Sequence, residues 1–182
     1  MADILHRAGL PDGVFNLVLG KGSVVGQAIL EHPGIDALSF TGSRGVGEAI
    51  AEIAGKRMIR CQLEMGGKNP LVVMDDADID IAVECALDGS FYATGQRCTA
   101  SSRLGPVVDR RQLENNLRYV DIARNEGAEL VCGGGLIERP TPGFYMAPAL
   151  FIGTHNDMCI NREEVFGPVA SVIQVAHFDE AL

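Results

Sequence analysis

Features that define several classes of protein are missing from this chain of 182 residues. It has no apolar run of about eighteen residues, the length at which a membrane-spanning helix is inferred. The first residues, Met-Ala-Asp-Ile-Leu-His, lack the basic stretch and the apolar core of a secretion signal. We therefore expect a cytoplasmic protein with no membrane partner.

Cysteine is odd in number and lacks the spacing of a metal or disulfide framework. The five cysteines include no Cys-x-x-Cys pair. They indicate free thiols in a reducing compartment. The four histidines are scattered without the spacing of metal ligands. No metal site is expected.

Basic residues are scarce. The chain has 15 Lys and Arg against 24 Asp and Glu, which gives a formal net charge of −9. This balance argues against nucleic acid or an anionic membrane surface as a partner, because both require clustered cations. A hydrophobic fraction of 47% is typical of a globular protein with a buried core. The length predicts one domain, or two, at roughly 150 residues per domain.

Apolar runs typical of strands alternate along the chain with segments of helical periodicity. The predicted strands are residues 14–19, 35–40, 70–74, 130–132, 149–152 and 169–175. The predicted helices are residues 22–31, 48–55, 79–90 and 113–123. Asp75, Asp76 and Asp78 are expected to cap the third helix and to complement its dipole. The alternation predicts an α/β fold with a largely parallel sheet.

Two segments carry residues that acyl transfer through a thioester requires. Glu64 lies in the glycine-rich segment Gln62–Pro70, and Cys98 lies in the polar segment Thr94–Ala100. A carboxylate can act as the base and a thiolate as the nucleophile. An unperturbed cysteine is only about 3% thiolate at pH 7, so Cys98 would need activation. Considered alone, Cys98 is more typical of an inert thiol, and Glu64 is more typical of a surface carboxylate.

The turn at residues 41–43 follows a predicted strand and precedes a predicted helix. Unpaired backbone N–H groups and the helix dipole would favour an anion there. Gly42 and Gly47 would let a phosphate approach the backbone, and the Ser43 hydroxyl could donate to it. The turn does not fit the G-x-G-x-x-G fingerprint, and a plain helix cap at Ser43 is an equal alternative.

Four segments resemble motifs of the aldehyde dehydrogenase superfamily, in the family's order. They are Phe40–Gly47, Leu63–Pro70, Gly95–Cys98 and Glu163–Val169. The surrounding sequence is most similar to the semialdehyde branch, particularly 2-oxoglutarate semialdehyde dehydrogenases. The resemblance implies a partial aldehyde dehydrogenase fold. A Rossmann-like parallel sheet portion of the NAD(P)-binding domain would occupy residues 1–63, and part of the catalytic α/β domain residues 64–182.

The resemblance also implies oxidation of an aldehyde to a carboxylic acid. Cys98 matches the nucleophile, which forms a thiohemiacetal and, after hydride transfer, a thioester. Its backbone N–H would supply one oxyanion donor. Glu64 matches the general base that activates Cys98 or the hydrolytic water. Members that pass the acyl group to coenzyme A or reduce acyl phosphates generally lack this glutamate, so its presence favours hydrolysis.

NAD or NADP is the cofactor that the resemblance implies. Eight residues match its binding positions: Gly22 and Ser23 on the adenine side, Thr41 behind the nicotinamide, Gly42, Ser43 and Gly47 at the pyrophosphate, and Glu164 and Phe166 at the nicotinamide ribose and ring. A small aldehyde is the implied substrate. The family is homo-oligomeric, but its oligomerisation hairpin has no match here.

Other parts of the family pattern are also without a match. The oxyanion asparagine and the adenosine-ribose residues belong upstream, as do the residues that select NAD or NADP. Leu104 runs directly into Gly105, where the family has a strand, a helix and a loop. Removing one oxyanion donor typically costs about 100- to 1000-fold in rate. The alternative is therefore a non-catalytic fragment, inactive alone, with exposed sheet edges and poor solubility.

Overall fold

The computed structural model of the protein describes residues 1–91, 95–96 and 106–181. Contacts within the chain divide it into two compact units, Met1–Met65 and Gly66–Leu182. Both units combine helices with β-strands, in agreement with the α/β class predicted from the sequence. The assignment of residues 1–63 to a cofactor domain and of 64–182 to a catalytic domain stays a prediction.

The first unit is built around one strand–helix–strand crossover. Its elements are α1 (Ala2–Arg7), a π-helical turn (Gly22–Gly26) that continues into α2 (Gln27–Glu31), β1 (Ala37–Gly42), α3 (Arg44–Arg57) and β2 (Arg60–Met65). Strands β1 and β2 pair in parallel, with Phe40 opposite Leu63 and Thr41 opposite Glu64. A parallel pair needs a crossover connection, which α3 supplies.

Few side chains are buried in the first unit. Leu30 and Ala54 are its buried hydrophobic residues, at 6% and 1% exposure. The Arg57 guanidinium adds a polar connection, because it donates to the backbone oxygens of Leu30, His32 and Ile35. Arg57 therefore joins the end of α3 to the loop between α2 and β1.

The second unit contains the larger core. Its elements are α4 (Ile79–Phe91), α5 (Arg110–Asn125), β3 (Glu129–Cys132), β4 (Ala149–Ile152), α6 (Cys159–Arg162), β5 (Val169–Ser171) and α7 (Phe178–Ala181). The strands form a sheet in the order β3-β4-β5, antiparallel between β3 and β4 and parallel between β4 and β5. Two of the three strand pairings among the described residues are therefore parallel, as the largely parallel arrangement predicts, and the pairing of β3 with β4 is the antiparallel exception.

Helix α5 packs its apolar face on this sheet. Asp109 caps the helix, with its carboxylate accepting from the N–H of Gln112 at 2.8 Å. Leu113, Val120 and Ala123 recur at helical spacing and are buried in the same cluster as Phe151 of β4. The predicted helix at residues 113–123 is thus confirmed, and burial of its apolar side chains stabilises it.

Two predicted strands are wrong, and the same physical cause applies to both. Residues 14–19 and 70–74 form no ladder with any described residue. Leu19 is 82% exposed and Leu71 is 56% exposed. An apolar run becomes a strand only when a neighbouring strand takes up its backbone hydrogen bonds. The described residues provide no such neighbour for either run.

Helix α4 begins at the predicted place and differs from α5 in burial. The Asp78 carboxylate accepts from the N–H groups of Asp80 and Ile81, at 3.0 and 3.2 Å. The predicted capping is therefore confirmed for Asp78. None of the residues in α4 is buried. Within the described ranges, no helix has the length and apolar character needed to cross a bilayer.

Candidate active-site residues

Thr41 and Glu64 are brought together by the parallel pairing of the first unit. They are Cα partners near the carboxyl ends of β1 and β2. Neighbouring strands lie about 4.8 Å apart, and paired residues of parallel strands face the same side of the sheet. Gln62 donates from Nε2 to Glu64 Oε1 at 3.3 Å. The structure thus places the predicted base beside the predicted nicotinamide wall, where open α/β sheets bind ligands.

Ser43 occupies the N-cap position of α3 with an extended backbone, φ −71° and ψ 151°. Its carbonyl accepts from the N–H of Gly47 at 3.0 Å, but its side chain makes no capping hydrogen bond. The alternative interpretation of Ser43 as a helix N-cap is therefore confirmed for its position, but its hydroxyl makes no capping hydrogen bond. Since the hydroxyl caps no N–H of the first turn, the start of α3 can donate to an anion.

Gly42 and Gly47 are in close contact with side chains of the first unit. A methyl group built on Gly42 would lie 2.5 Å from Phe40 Cζ. One built on Gly47 would overlap the Met65 sulfur. These contacts were not predicted from the sequence, in which both glycines were expected to allow the approach of a phosphate. Gly47 lets α3 pack closely on the end of β2, so it positions the start of the helix.

Gly22 and Ser23 lie at the start of the helical segment that continues into α2. Both residues are exposed. The carbonyl of Lys21 accepts from the N–H groups of Val24 and Val25, each at 2.9 Å. The predicted helix at residues 22–31 is confirmed, with a π-helical first turn. A role for Gly22 and Ser23 on the adenine side stays a prediction.

Glu164 lies in the second unit, against the backbone of Gly66. A methyl group built on Gly66 would overlap the Glu164 carboxylate. Burial raises the pKa of Glu164, and the nearby positive charge of Lys68 opposes that rise. The pKa of Lys68 is lowered by burial and raised by Glu164. Lys68 still exposes much of its surface to water, so we treat the pair as partly screened.

Phe166 adopts a left-handed backbone conformation, with φ 53°. This is uncommon for a residue other than glycine. Gln112 of α5 donates from Nε2 to the backbone oxygens of Val165 and Phe166, at 3.0 and 2.9 Å. Gly167 follows directly, and a methyl group there would overlap the buried amide of Asn116. Helix α5 therefore fixes the turn that carries Glu164 and Phe166.

A second contact from α5 holds the residue before Glu164. The Tyr119 hydroxyl donates to Glu163 Oε2. Burial and the adjacent Glu163 carboxylate raise the pKa of Tyr119. The sequence argument missed Gln112, Asn116 and Tyr119. The sequence offered one indication of these contacts, which is Asn116, a polar residue on the otherwise apolar face of α5.

Cys98 lies outside the described residues, so its predicted role stays a prediction. The nearest described residues are Gly95 and Gln96. Gly95 has a φ of 64°, and a methyl group there would overlap the carbonyl of Gly167. Gln96 Oε1 accepts from the N–H of Val108 at 3.0 Å. Among the residues described, no cluster of His, Cys, Asp or Glu could hold a metal ion.

The family model for the aldehyde dehydrogenase family matches residues 1–105 and again residues 101–182. The chain belongs to the aldehyde dehydrogenase family. The resemblance inferred from four motifs is thereby confirmed over the whole chain.

Two relatives carry semialdehyde or oxo-acid names. The alpha-ketoglutaric semialdehyde dehydrogenase of Bacillus subtilis is 41% identical over 212 positions, which cover 97% of this chain and 43% of the relative. The 2,5-dioxopentanoate dehydrogenase of Saccharolobus solfataricus is 41% identical over 216 positions, which cover 100% of this chain and 45% of the relative. The chain spans less than half the length of these relatives.

Solved aldehyde dehydrogenases share the fold of the chain. The NAD-dependent aldehyde dehydrogenase of Sinorhizobium meliloti matches with a TM-score of 0.92 at 35% identity, over 99% of this chain and 42% of that one. The NAD⁺ complex of aldehyde dehydrogenase from Bacillus cereus matches with a TM-score of 0.94 at 30% identity, over 99% and 43%. The partial aldehyde dehydrogenase fold predicted from the sequence is confirmed.

The aldehyde dehydrogenase matches also include positions that have no counterpart in this chain. The alignment to the Saccharolobus relative has 216 positions, whereas this chain has 182 residues, so 34 positions of the relative have no counterpart here. The two matches of the family model meet at residues 101–105. This junction includes Leu104 and Gly105.

Proposed function

We propose that the chain carries part of the site of an NAD(P)-dependent aldehyde dehydrogenase that oxidises aldehydes to carboxylic acids. The observation that carries the proposal is the strand register that sets Thr41 beside Glu64 at the carboxyl ends of β1 and β2. Thr41 lies two residues before Ser43, the N-cap of α3, and this helix start would bind the anionic pyrophosphate. Family membership supplies the reaction class.

Each unit by itself carries residues that would contact part of a dinucleotide. The backbone N–H groups in the first turn of α3 and the Ser43 hydroxyl would hold the pyrophosphate, because the Ser43 side chain does not cap those N–H groups. The Glu164 carboxylate, seated over Gly66, would accept hydrogen bonds from the nicotinamide ribose. When bound, the nicotinamide ring would accept the hydride that leaves the substrate carbon.

Cys98 and Glu64 would perform the remaining chemistry. The Cys98 thiolate adds to the aldehyde carbon and forms a thiohemiacetal. Loss of the hydride then leaves a thioester on the same sulfur. Glu64 takes a proton from water as the water oxygen attacks the thioester carbon, which releases the carboxylic acid and the thiolate. Hydrolysis by this base distinguishes the proposed reaction from transfer to coenzyme A.

A semialdehyde is the substrate class that we propose. Two relatives at 41% identity are named for alpha-ketoglutaric semialdehyde and for 2,5-dioxopentanoate. Such substrates carry an aldehyde at one end and a carboxylate at the other. The proposal is tested by comparing 2-oxoglutarate semialdehyde with an uncharged aldehyde of similar length.

A second candidate is a non-catalytic fragment. The observation that favours it is the share of the relatives that the chain spans, 43% and 45%. The 26 large hydrophobic side chains that are exposed among the described residues support it as well. We therefore expect the isolated chain to show little or no turnover by itself.

One experiment separates the two candidates. Cofactor binding is followed by NADH fluorescence, and turnover by aldehyde-dependent NADH formation. Turnover that disappears in Cys98→Ala but persists in Cys85→Ala, a control thiol that is exposed, establishes the enzyme. In that case Glu64→Gln should lower the steady-state rate by about 100-fold or more and accumulate the thioester. Cofactor binding without turnover establishes a fragment that retains half of a site, and absence of both overturns the proposal for this chain.

A further inference from the structure

Asn116 is the most deeply buried polar side chain among the described residues. Its exposed fraction is 0%, and it lies on the face of α5 that otherwise carries Leu113, Val120 and Ala123. An apolar side chain would fill this position without the cost of removing an amide from water. A buried amide whose hydrogen bonds are made rigidifies the groups that it contacts, so the partners of Asn116 show what it holds in place.

The Asn116 amide is hydrogen-bonded in either orientation of its side chain. In one orientation its Oδ1 accepts from Gln112 Nε2 at 2.8 Å. Turned by 180°, the amide donates from Nδ2 to the backbone oxygens of Val165 and Gln112, at 3.3 and 3.2 Å. Gln112 Nε2 itself donates to the backbone oxygens of Val165 and Phe166. Asn116 therefore holds the turn at residues 163–168 either directly or through Gln112.

These bonds act beside the residue of the turn that has an unusual backbone. Phe166 has a φ of 53°, a conformation that persists in a residue other than glycine only where the surroundings enforce it. The Phe166 oxygen accepts from Gln112, and the next residue, Gly167, lies in close contact with the Asn116 amide. The backbone direction at Phe166, and with it the placement of Glu164 two residues earlier, therefore depends on the Asn116 amide.

The same turn contacts the segment that precedes Cys98 in the sequence. Gly95 is buried with a φ of 64°, and a methyl group there would overlap the carbonyl of Gly167. Gly167 is thus in contact with both the Asn116 amide and the backbone of Gly95. A shift of the turn would change its position relative to Gly95 as well.

We propose that Asn116 is a positioning residue for the nicotinamide end of the cofactor. It acts through Gln112 and Gly167 on the turn at residues 163–168, and because it is fully buried it touches no ligand itself. This inference rests on the proposed function, in which Glu164 binds the nicotinamide ribose. Removing the Asn116 amide should therefore weaken binding of the nicotinamide half of the cofactor and leave binding of the adenosine half unchanged.

The first test compares two ligands on the unaltered chain and on Asn116→Leu. NADH carries both halves of the cofactor, whereas ADP lacks the nicotinamide half. Leucine has a similar volume and no polar atoms, and the bond from Tyr119 to Glu163 still holds the turn, so the variant should fold. The dissociation constant of NADH, from fluorescence, should rise by about tenfold or more, the usual effect of losing a hydrogen bond to a charged group. That of ADP, from calorimetry, should not change.

The second test needs no cofactor. Amide hydrogen exchange of residues 164–167 should become faster by at least about tenfold in Asn116→Leu, because local opening of the turn becomes easier. Exchange in β4 should stay the same, since the apolar core is kept. Asn125→Leu is the matched control, because it makes the same substitution at an exposed position of α5, and it should change neither exchange nor NADH binding.

Gln112→Met removes the intermediary at a half-buried position of the same helix. It should weaken NADH binding and leave ADP binding unchanged, as Asn116→Leu does. The double variant should lose less NADH affinity than the product of the two single losses, because residues of one hydrogen-bond network are not additive. Additive losses would show that Asn116 does not act through Gln112.

Two results would overturn the proposal. One is unchanged exchange of residues 164–167 in Asn116→Leu, and the other is equal weakening of NADH and ADP, which is the mark of a general structural effect. If Asn116→Leu does not fold, the same measurements on Gln112→Met decide. Failure of the unaltered chain to bind NADH would overturn the proposed function instead, and the exchange test would then decide whether Asn116 fixes the turn.

Discussion

Gly167 shows how closely the turn at residues 163–168 is fitted to α5. A methyl group on Gly167 would overlap the amide of Asn116, which is fully buried. We expect Gly167→Ala to lower the free energy of unfolding by about 1–3 kcal/mol, the usual cost of overpacking. Gly135→Ala is the control, because nothing lies within 4 Å of a methyl group there. Urea denaturation followed by circular dichroism measures both, and equal losses would contradict the packing argument.

Glu164 should give the protein a specific dependence on pH. Burial raises the pKa of its carboxyl above the ordinary value of 4.5. The folded state therefore holds the proton more tightly than the unfolded state. The resulting stabilisation is complete below the ordinary pKa and is lost as pH rises through the raised pKa.

Glu164→Gln should remove this loss. The stability of the variant minus that of the unaltered protein should therefore be larger at pH 7 than at pH 4. The urea midpoints of both proteins at each pH measure this difference. Glu114→Gln, on the exposed side of α5, should show the same difference at both pH values. A Glu164→Gln effect that did not change with pH would show that the carboxylate is not destabilised by folding.

The sequence predicted roles for single residues but not the contacts that support them. Motif order predicts the roles of Glu64, Ser43 and Glu164, and those roles stay predictions. Gln112 and Asn116 were missed, since a long-range contact to the turn at residues 163–168 leaves no periodic signal in α5. The packing role of Gly47 was missed for the same reason, because its neighbour Met65 lies eighteen residues further along the chain.

Helices α4 and α5 have similar lengths but opposite environments. Leu113 of α5 is 9% exposed, whereas Leu87 of α4 is 54% exposed. We expect Leu113→Ala to lower the free energy of unfolding by about 2–5 kcal/mol. Leu87→Ala should change it by no more than about 0.5 kcal/mol, as at other exposed sites. Thermal and urea unfolding of the two matched variants check this contrast, and a large loss in Leu87→Ala would mean that α4 is covered in solution.

Strand prediction succeeded where a partner is present. Residues 149–152 form a strand because β3 and β5 pair with it on both sides, and its side chains alternate between buried and half-buried positions as the two faces of a strand alternate. Residues 70–74 have an equally apolar sequence but lack such a pair among the described residues. Composition determines the tendency to form a strand, and neighbours determine whether the strand forms.

The two units of the whole molecule differ in core size. The described part of the second unit contains a cluster of thirteen buried hydrophobic residues, whereas the first unit buries Leu30 and Ala54. We expect the amides of α5 and β4 to exchange more slowly under native conditions than those of α3 and β1, because local opening is easier where fewer apolar contacts are lost. Hydrogen exchange with mass spectrometry measures this difference. Uniform protection across both units would indicate a single cooperative structure.

At the scale of the whole chain, motif order predicted the family and the fold class. It did not predict that large apolar surfaces would be exposed on elements that are otherwise correctly formed. The family pattern describes residues that carry chemistry, and it contains little about which faces of those elements need cover. Which faces of the helices and strands are exposed is seen only in the structure.

The register of β1 and β2 has a consequence for insertions and deletions. Phe40 opposite Leu63 forms the half-buried pair next to Thr41 and Glu64. Side chains alternate between the two faces of a strand, so deleting one residue between Arg60 and Leu63 turns either Leu63 or Glu64 to the wrong side. The Leu-Glu-Met-Gly-Gly-Lys motif would survive such a deletion letter for letter. A frame-preserving loss of three nucleotides can therefore separate the motif from its geometry, and a search for conserved letters would not detect it.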